Sequence, residues 1–171
     1  YFLLLKILED LRARKVPFTL DILGEGPLRK ELSIELSRRH LDRFVCLHGH
    51  CSEDDIISHY RKSDALLFTG VIASNGDRDG IPNVIPEAMS CGLLVLASNR
   101  AGSSEAFTDQ ESGYSLDPYK SSSWSVLLED FYTKPEKFIQ VRKYAFLRAH
   151  EQFSAKVNCK KLKYLFDQTF A

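Results

Sequence analysis

The stretch Asp79-Gly80-Ile81-Pro82-Asn83-Val84-Ile85-Pro86-Glu87-Ala88-Met89-Ser90-Cys91-Gly92 sets two carboxylates, with seven residues between them, on either side of a helix start. Asp79 lies in a glycine-containing loop. Pro82 and Asn83 favour the first positions of a helix, which puts Glu87 about one turn inside it. The backbone N–H groups in between, near Asn83 and Val84, lack intrahelical acceptors and can receive a phosphate. A carboxylate upstream can then accept hydrogen bonds from sugar hydroxyls, and a second one turn into the helix can hold the vicinal hydroxyls of a ribose. Gly80, Ile81, Asn83, Val84 and Glu87 are therefore expected to line a nucleotide-sugar site, with Asp79 and Glu87 as its functional carboxylates.

Outward from this stretch, helix and strand patterns alternate over the first two-thirds of the chain, the pattern of βαβ units around a mostly parallel sheet. Phe2, Leu5, Leu8 and Leu11 repeat at helical spacing up to Lys15. Phe18 to Leu23 is rich in strand formers, and Gly24 to Pro27 turns the chain into a helix containing Leu28, Leu32 and Leu36. Phe44 to Leu47 reads as a strand, Glu53 to Lys62 as a helix, and Ala65 to Phe68 as a strand buried on both faces. The loop from Thr69 to Pro82 carries Gly70, Gly76 and Gly80 and exceeds what a structural turn requires, which favours a functional role. Leu93 to Ala97 and Tyr114 to Leu116 complete an expected sheet of five strands. From Ser121 onward helices take over: Trp124 to Tyr132, Pro135 to His150, and one from about Ser154 with Val157, Leu162, Leu165 and Phe166 on an apolar stripe.

The chain has 171 residues, 44% hydrophobic and 27% charged, which suits one domain with a real core. Lys plus Arg and Asp plus Glu number 23 each, so no excess positive field exists to hold a nucleic-acid backbone, and nucleic acid is not an expected partner. Cys46, Cys51, Cys91 and Cys159 form no CxxC pair. Cys46 and Cys91 sit in apolar contexts where a thiol packs as a small hydrophobe, so a reducing, cytosolic setting is expected. No apolar run reaches the roughly 18 residues of a membrane span.

Several residues carry more than one reading. Gly24 and Gly26, in Gly24-Glu25-Gly26-Pro27, form either a strand-to-helix turn or a phosphate cradle; the turn is the commoner use, and its backbone can still line a nucleotide site at the carboxyl ends of the strands. His48, His50 and Cys51 have donor atoms suited to a metal but no fourth ligand at recognisable spacing, so no metal site is expected.

Taken with Ile22-Leu23-Gly24-Glu25-Gly26-Pro27, Val45-Cys46-Leu47-His48-Gly49, Tyr60-Arg61-Lys62-Ser63-Asp64-Ala65, Gly102-Ser103-Ser104-Glu105 and Glu111-Ser112-Gly113-Tyr114, the opening stretch resembles the donor-binding half of retaining GT-B glycosyltransferases over essentially the whole chain. Asn75 to Pro82 looks most like the bacterial colanic acid and amylovoran exopolysaccharide enzymes. The resemblance implies a Rossmann-like parallel sheet with flanking helices whose first strand is missing, residues 1–171 forming one nucleotide-sugar-binding domain of a longer two-domain enzyme. It implies a UDP- or GDP-sugar donor, and a saccharide or lipid-linked acceptor held by a domain upstream of Tyr1. A basic phosphate-binding pair is also implied upstream, so this stretch alone is not expected to transfer sugar. No cofactor or metal ion is implied. The full enzyme is expected in the cytoplasm, with peripheral association at the inner face of the membrane as a further option. Asp77-Arg78-Asp79 spells the metal-binding Asp-x-Asp of a different glycosyltransferase architecture, but the rest of the chain suits that architecture poorly and Asp77 is read as a loop residue. A non-catalytic nucleotide-binding or interface module is the competing reading.

Overall fold

A computed structural model of the chain describes residues 1–71, 80–100 and 102–169. Strands β1 (Leu20–Leu23), β2 (Val45–Gly49), β3 (Ala65–Phe68), β4 (Leu94–Ser98) and β5 (Tyr114–Leu116) alternate with helices α1 (Phe2–Ala13), α2 (Arg29–Arg38), α3 (Glu53–Lys62) and α4 (Val84–Ser90). Helices α5 (Ser121–Thr133), α6 (Ile139–Gln152) and α7 (Ala155–Thr169) follow. The helix expected from Pro135 begins instead as a 3-10 turn, Pro135–Phe138, before α6.

All strand pairs are parallel, but the expected five-stranded sheet is divided. β1 pairs with β2 (Asp21 opposite Cys46), and separately β3 pairs with β4 and β4 with β5. The pieces reproduce places 3-2 and 4-5-6 of the doubly wound order 3-2-1-4-5-6. Among the described residues nothing occupies place 1, so β1 and β3 each keep one unpaired edge.

Period-two alternation sends side chains to two cores. Leu94 and Leu96 of β4 face one, with Leu5, Ile7, Leu8 and Leu11 of α1, Leu32 and Leu36 of α2, and Trp124 of α5. Val95 and Ala97 face the other, with Ile85, Ala88 and Met89 of α4 and Ala145 and Ala149 of α6. Full burial of one such Leu or Ile contributes roughly 1.5–3 kcal/mol. Trp124 is completely buried and its indole N–H donates to the Asp117 carbonyl at 2.9 Å, so no polar atom is stranded.

Two expectations about burial are corrected. β3 is only half-buried along its length, because one edge has no neighbouring strand to cover it. Cys46 is exposed: Leu20, Ile22, Val45 and Leu47 take the core face of β1 and β2, which turns Asp21, Cys46 and His48 to the opposite face. Cys91, by contrast, packs half-buried against the second core as expected.

Leu162, Tyr164, Leu165 and Phe166 of α7 are exposed, in keeping with the apolar stripe read from the sequence. No described helix is long and apolar enough to cross a membrane.

Candidate functional site

The site is built on α4, the helix that follows β3 in chain order. Asn83 precedes the helix in a helical conformation (φ −55°, ψ −32°) and makes no side-chain cap. The Ile85 N–H bonds the Pro82 carbonyl at 3.0 Å and the Glu87 N–H bonds the Asn83 carbonyl at 3.1 Å. Among the described residues, no backbone carbonyl takes the N–H of Asn83 or Val84. Pro86 sits in the first turn, where its missing N–H costs no hydrogen bond. The far end of α4 explains the Ser-Cys-Gly step. Gly92 has φ +77°, its N–H bonds the Met89 carbonyl at 3.0 Å, and the Leu93 N–H bonds the Ala88 carbonyl at 3.1 Å. These are the paired bonds of a Schellman cap, whose left-handed residue glycine supplies without strain. Arg142 of α6 then donates to the Gly92 carbonyl at 2.7 Å, locking the cap to the neighbouring helix.

Glu87 is exposed at the surface of the first turn. Its carboxylate accepts from the Tyr60 hydroxyl at 3.2 Å, and Tyr60, on α3, lies half-buried against the second core. Burial, and after it the Glu87 charge, pushes the Tyr60 phenol well above its ordinary pKa, so it remains a donor at physiological pH. Ile81 and Val84 expose apolar surface beside Glu87, and the space where a Gly80 side chain would stand is open. The structure thus places Gly80, Ile81, Asn83, Val84 and Glu87 along one short segment. Asp79, Asp77 and Arg78 lie outside the described residues.

Gly24 and Gly26 belong to the turn after β1. Gly24 has φ +111° and donates to the Gly49 carbonyl at 2.7 Å, which ties this turn to the end of β2. Glu25 pairs with Arg29 at 3.4 Å, and Arg29 donates to the Leu47 carbonyl at 2.9 Å. Among the described residues no hydrogen bond joins either glycine to α4. Glu105 is exposed in the 3-10 turn Gly102–Glu105, and its carbonyl accepts from Arg148 at 3.4 Å.

Three residues escaped the sequence reading. In the sequence Tyr60 reads only as part of a helix end. Asp21 and His59 meet His48, with His48 Nε2 2.6 Å from Asp21 Oδ1 and His59 Nδ1 3.3 Å from Asp21 Oδ2. The His48 contact holds the Asp21 carboxyl below the ordinary carboxylate range, and His59 adds to it. A carboxylate in the middle of an otherwise apolar parallel strand was the available signal.

The sequence pattern of the family described as glycosyl transferases group 1 matches residues 1–148. The chain belongs to this family. As a group 1 glycosyltransferase it is 31% identical over 97 residues to the amylovoran biosynthesis glycosyltransferase AmsK of Erwinia amylovora, covering 57% of this chain and 24% of AmsK. It is 28% identical over 105 residues to WcaL of Escherichia coli (strain K12), a glycosyltransferase named for colanic acid biosynthesis, covering 61% of this chain and 26% of WcaL. The chain spans about a quarter of the length of these curated relatives. Among solved structures, Anabaena Alr3699/HepE in complex with UDP matches with a TM-score of 0.78 at 23% identity, over 94% of this chain and 44% of that one. A glycosyltransferase from Rickettsia africae ESF-5 matches with a TM-score of 0.81 at 16% identity, over 96% of this chain and 43% of that one. These neighbours establish the Rossmann-like half of a GT-B glycosyltransferase as the fold of this group 1 domain.

Proposed function

We propose that this domain binds a UDP- or GDP-sugar and presents it for transfer, with retention, to a polysaccharide or lipid-linked acceptor. The observation that carries the reading is the exposed Glu87 carboxylate, one turn into α4 and oriented by Tyr60 at 3.2 Å, where it can take both vicinal hydroxyls of a ribose. The Asn83 and Val84 N–H groups meet the diphosphate, favoured by the positive end of the helix dipole. Asp79 accepts from a sugar hydroxyl and fixes the sugar relative to the departing diphosphate. Catalysis then consists of positioning and of electrostatic stabilisation of the leaving group, without a metal ion at the diphosphate. UDP in the complex of the HepE neighbour and the amylovoran biosynthesis named for AmsK support the donor and acceptor classes. The acceptor surface is assigned to a separate domain, in keeping with the share of each relative that the chain spans.

Calorimetry of the intact protein against a panel of UDP- and GDP-sugars tests the reading and identifies the base. Saturable binding of one nucleotide series with a preferred sugar is expected. Absence of binding to every member would leave an interface module in its place.

A further inference from the structure

We propose that Asp21, His48 and His59 form a binding site for one divalent transition-metal ion, zinc in the first instance, that staples α3 to the β1–β2 sheet. One oxygen and two imidazole nitrogens, from three different elements, lie within 4.8 Å of one another. The two histidine rings meet at 4.3 Å between centroids, so both nitrogens converge on the same carboxylate. Two imidazoles and a carboxylate with one position left to water form a recurrent donor set for zinc and its first-row neighbours.

The spacing needs little change. Ligand bonds of about 2.0–2.2 Å in a tetrahedron hold donor atoms about 3.4 Å apart. His59 Nδ1 stands 3.3 Å from Asp21 Oδ2 and His48 Nε2 2.6 Å from Oδ1, so the three groups close on one ion when the carboxylate turns a single oxygen to both nitrogens and His48 swings outward. The histidine side chains are 27% and 26% exposed, which leaves access for an ion and for the water that completes its shell.

The position in the fold gives the site a purpose. Both faces of a parallel sheet are ordinarily apolar because helices cover them. Here the face of β1 and β2 beneath α3 carries Asp21, Cys46 and His48, and α3 itself has no buried residue. Apolar packing of this helix is partial, with Tyr60 half-buried against the second core, and among the described residues the Asp–His–His cluster is the side-chain polar contact that joins it to β1 and β2. An ion shared by all three side chains supplies bonds of fixed length where apolar packing is thin.

The test is titration of metal-stripped intact protein with zinc by calorimetry, and with cobalt by visible absorption, at neutral pH. We expect one equivalent bound, a zinc-dependent rise in melting temperature, and the intense visible bands of four-coordinate cobalt. Asp21→Asn and His59→Ala should each weaken binding by at least about tenfold. Cys46→Ser, Cys51→Ser and His50→Gln, which alter nearby donors outside the cluster, should bind as the wild type does. Failure of the wild-type protein to take up one equivalent overturns the site whatever the variants do. Uptake that survives Asp21→Asn and His59→Ala, or is lost with the thiols, overturns it equally.

Discussion

The Tyr60 hydroxyl donates to Glu87 Oε2 at 3.2 Å, joining α3 to α4 between residues 27 apart in sequence. Since the phenol cannot ionise near neutral pH, the bond fixes one carboxylate oxygen and leaves the other for a ligand. Tyr60→Phe keeps the ring packing and removes only this donor. Nucleotide affinity should fall by about 1–2 kcal/mol while the melting temperature changes little, measured by calorimetry and circular dichroism on one preparation. Unchanged affinity would remove Tyr60 from the site.

Glu87→Ala deletes the ribose acceptor from an exposed position and touches no core contact. The expected loss of UDP or GDP affinity is about 1.5–3 kcal/mol, as for hydrogen bonds to a charged group, with folding stability preserved. A variant that binds nucleotide like the wild type would require another residue to hold the ribose.

The two readings of Asp77-Arg78-Asp79 diverge on metal. With the diphosphate held by backbone N–H groups, adding Mn²⁺ or Mg²⁺ to metal-stripped protein should leave nucleotide affinity within about twofold, because no ion bridges protein and phosphate. Asp77→Asn should be mild, and Asp79→Asn should lower turnover more than nucleotide binding. Affinity that depends on Mn²⁺ would transfer the diphosphate to those carboxylates.

Gly92→Ala tests the cap of α4. At φ +77° a Cβ strains the backbone by about 1–2 kcal/mol, and urea unfolding should show that loss. Nucleotide affinity of the folded variant should persist, since Gly92 stands at the opposite end of α4 from the expected phosphate contacts.

The start of α3 responds to pH. The Ser52 hydroxyl accepts from the Asp55 N–H at 3.2 Å and donates to the Asp55 carboxylate at 2.6 Å, which holds the Asp55 pKa below its ordinary value. A carboxyl lowered by folding adds stability above its unfolded pKa of 3.8, and that contribution is lost as the pH falls through the folded value. Ser52→Ala should therefore lower the urea midpoint near neutrality and lower it less in acid, followed across the pH range. A penalty that grows on acidification would contradict the pairing.

Local chemistry made much of this legible from sequence. The bounds Glu53–Lys62 read from the sequence match α3, whose start the structure shows fixed by a capping box between Ser52 and Asp55 and whose end comes where Ser63 leaves the helical conformation. Glu87 could be placed one turn into a helix because Pro82 and Asn83 favour the first helical positions. What pairs side chains across the fold was hidden. Tyr60 and Glu87 are separated by 27 residues, Asp21 and His48 by 27, and Asp21 and His59 by 38, and no periodicity encodes such meetings. The exposure of Cys46 followed from strand register, since a slip of one residue exchanges the two faces. Asp79, the residue from which the motif was read, lies beyond the described residues, so its role rests on the experiment above.

The open edges of β1 and β3 have a consequence for handling the protein. A strand that settles on one free edge gains hydrogen bonds along one side, whereas a strand lying between these two gains them along both. Among the described residues the free edges of β1 and β3 are therefore each receptive to an extended peptide, including one lent by a second copy. Aggregation during purification would then report an unfilled place in the sheet rather than a misfolded core, and an added peptide strand would be the remedy to try before any change of buffer.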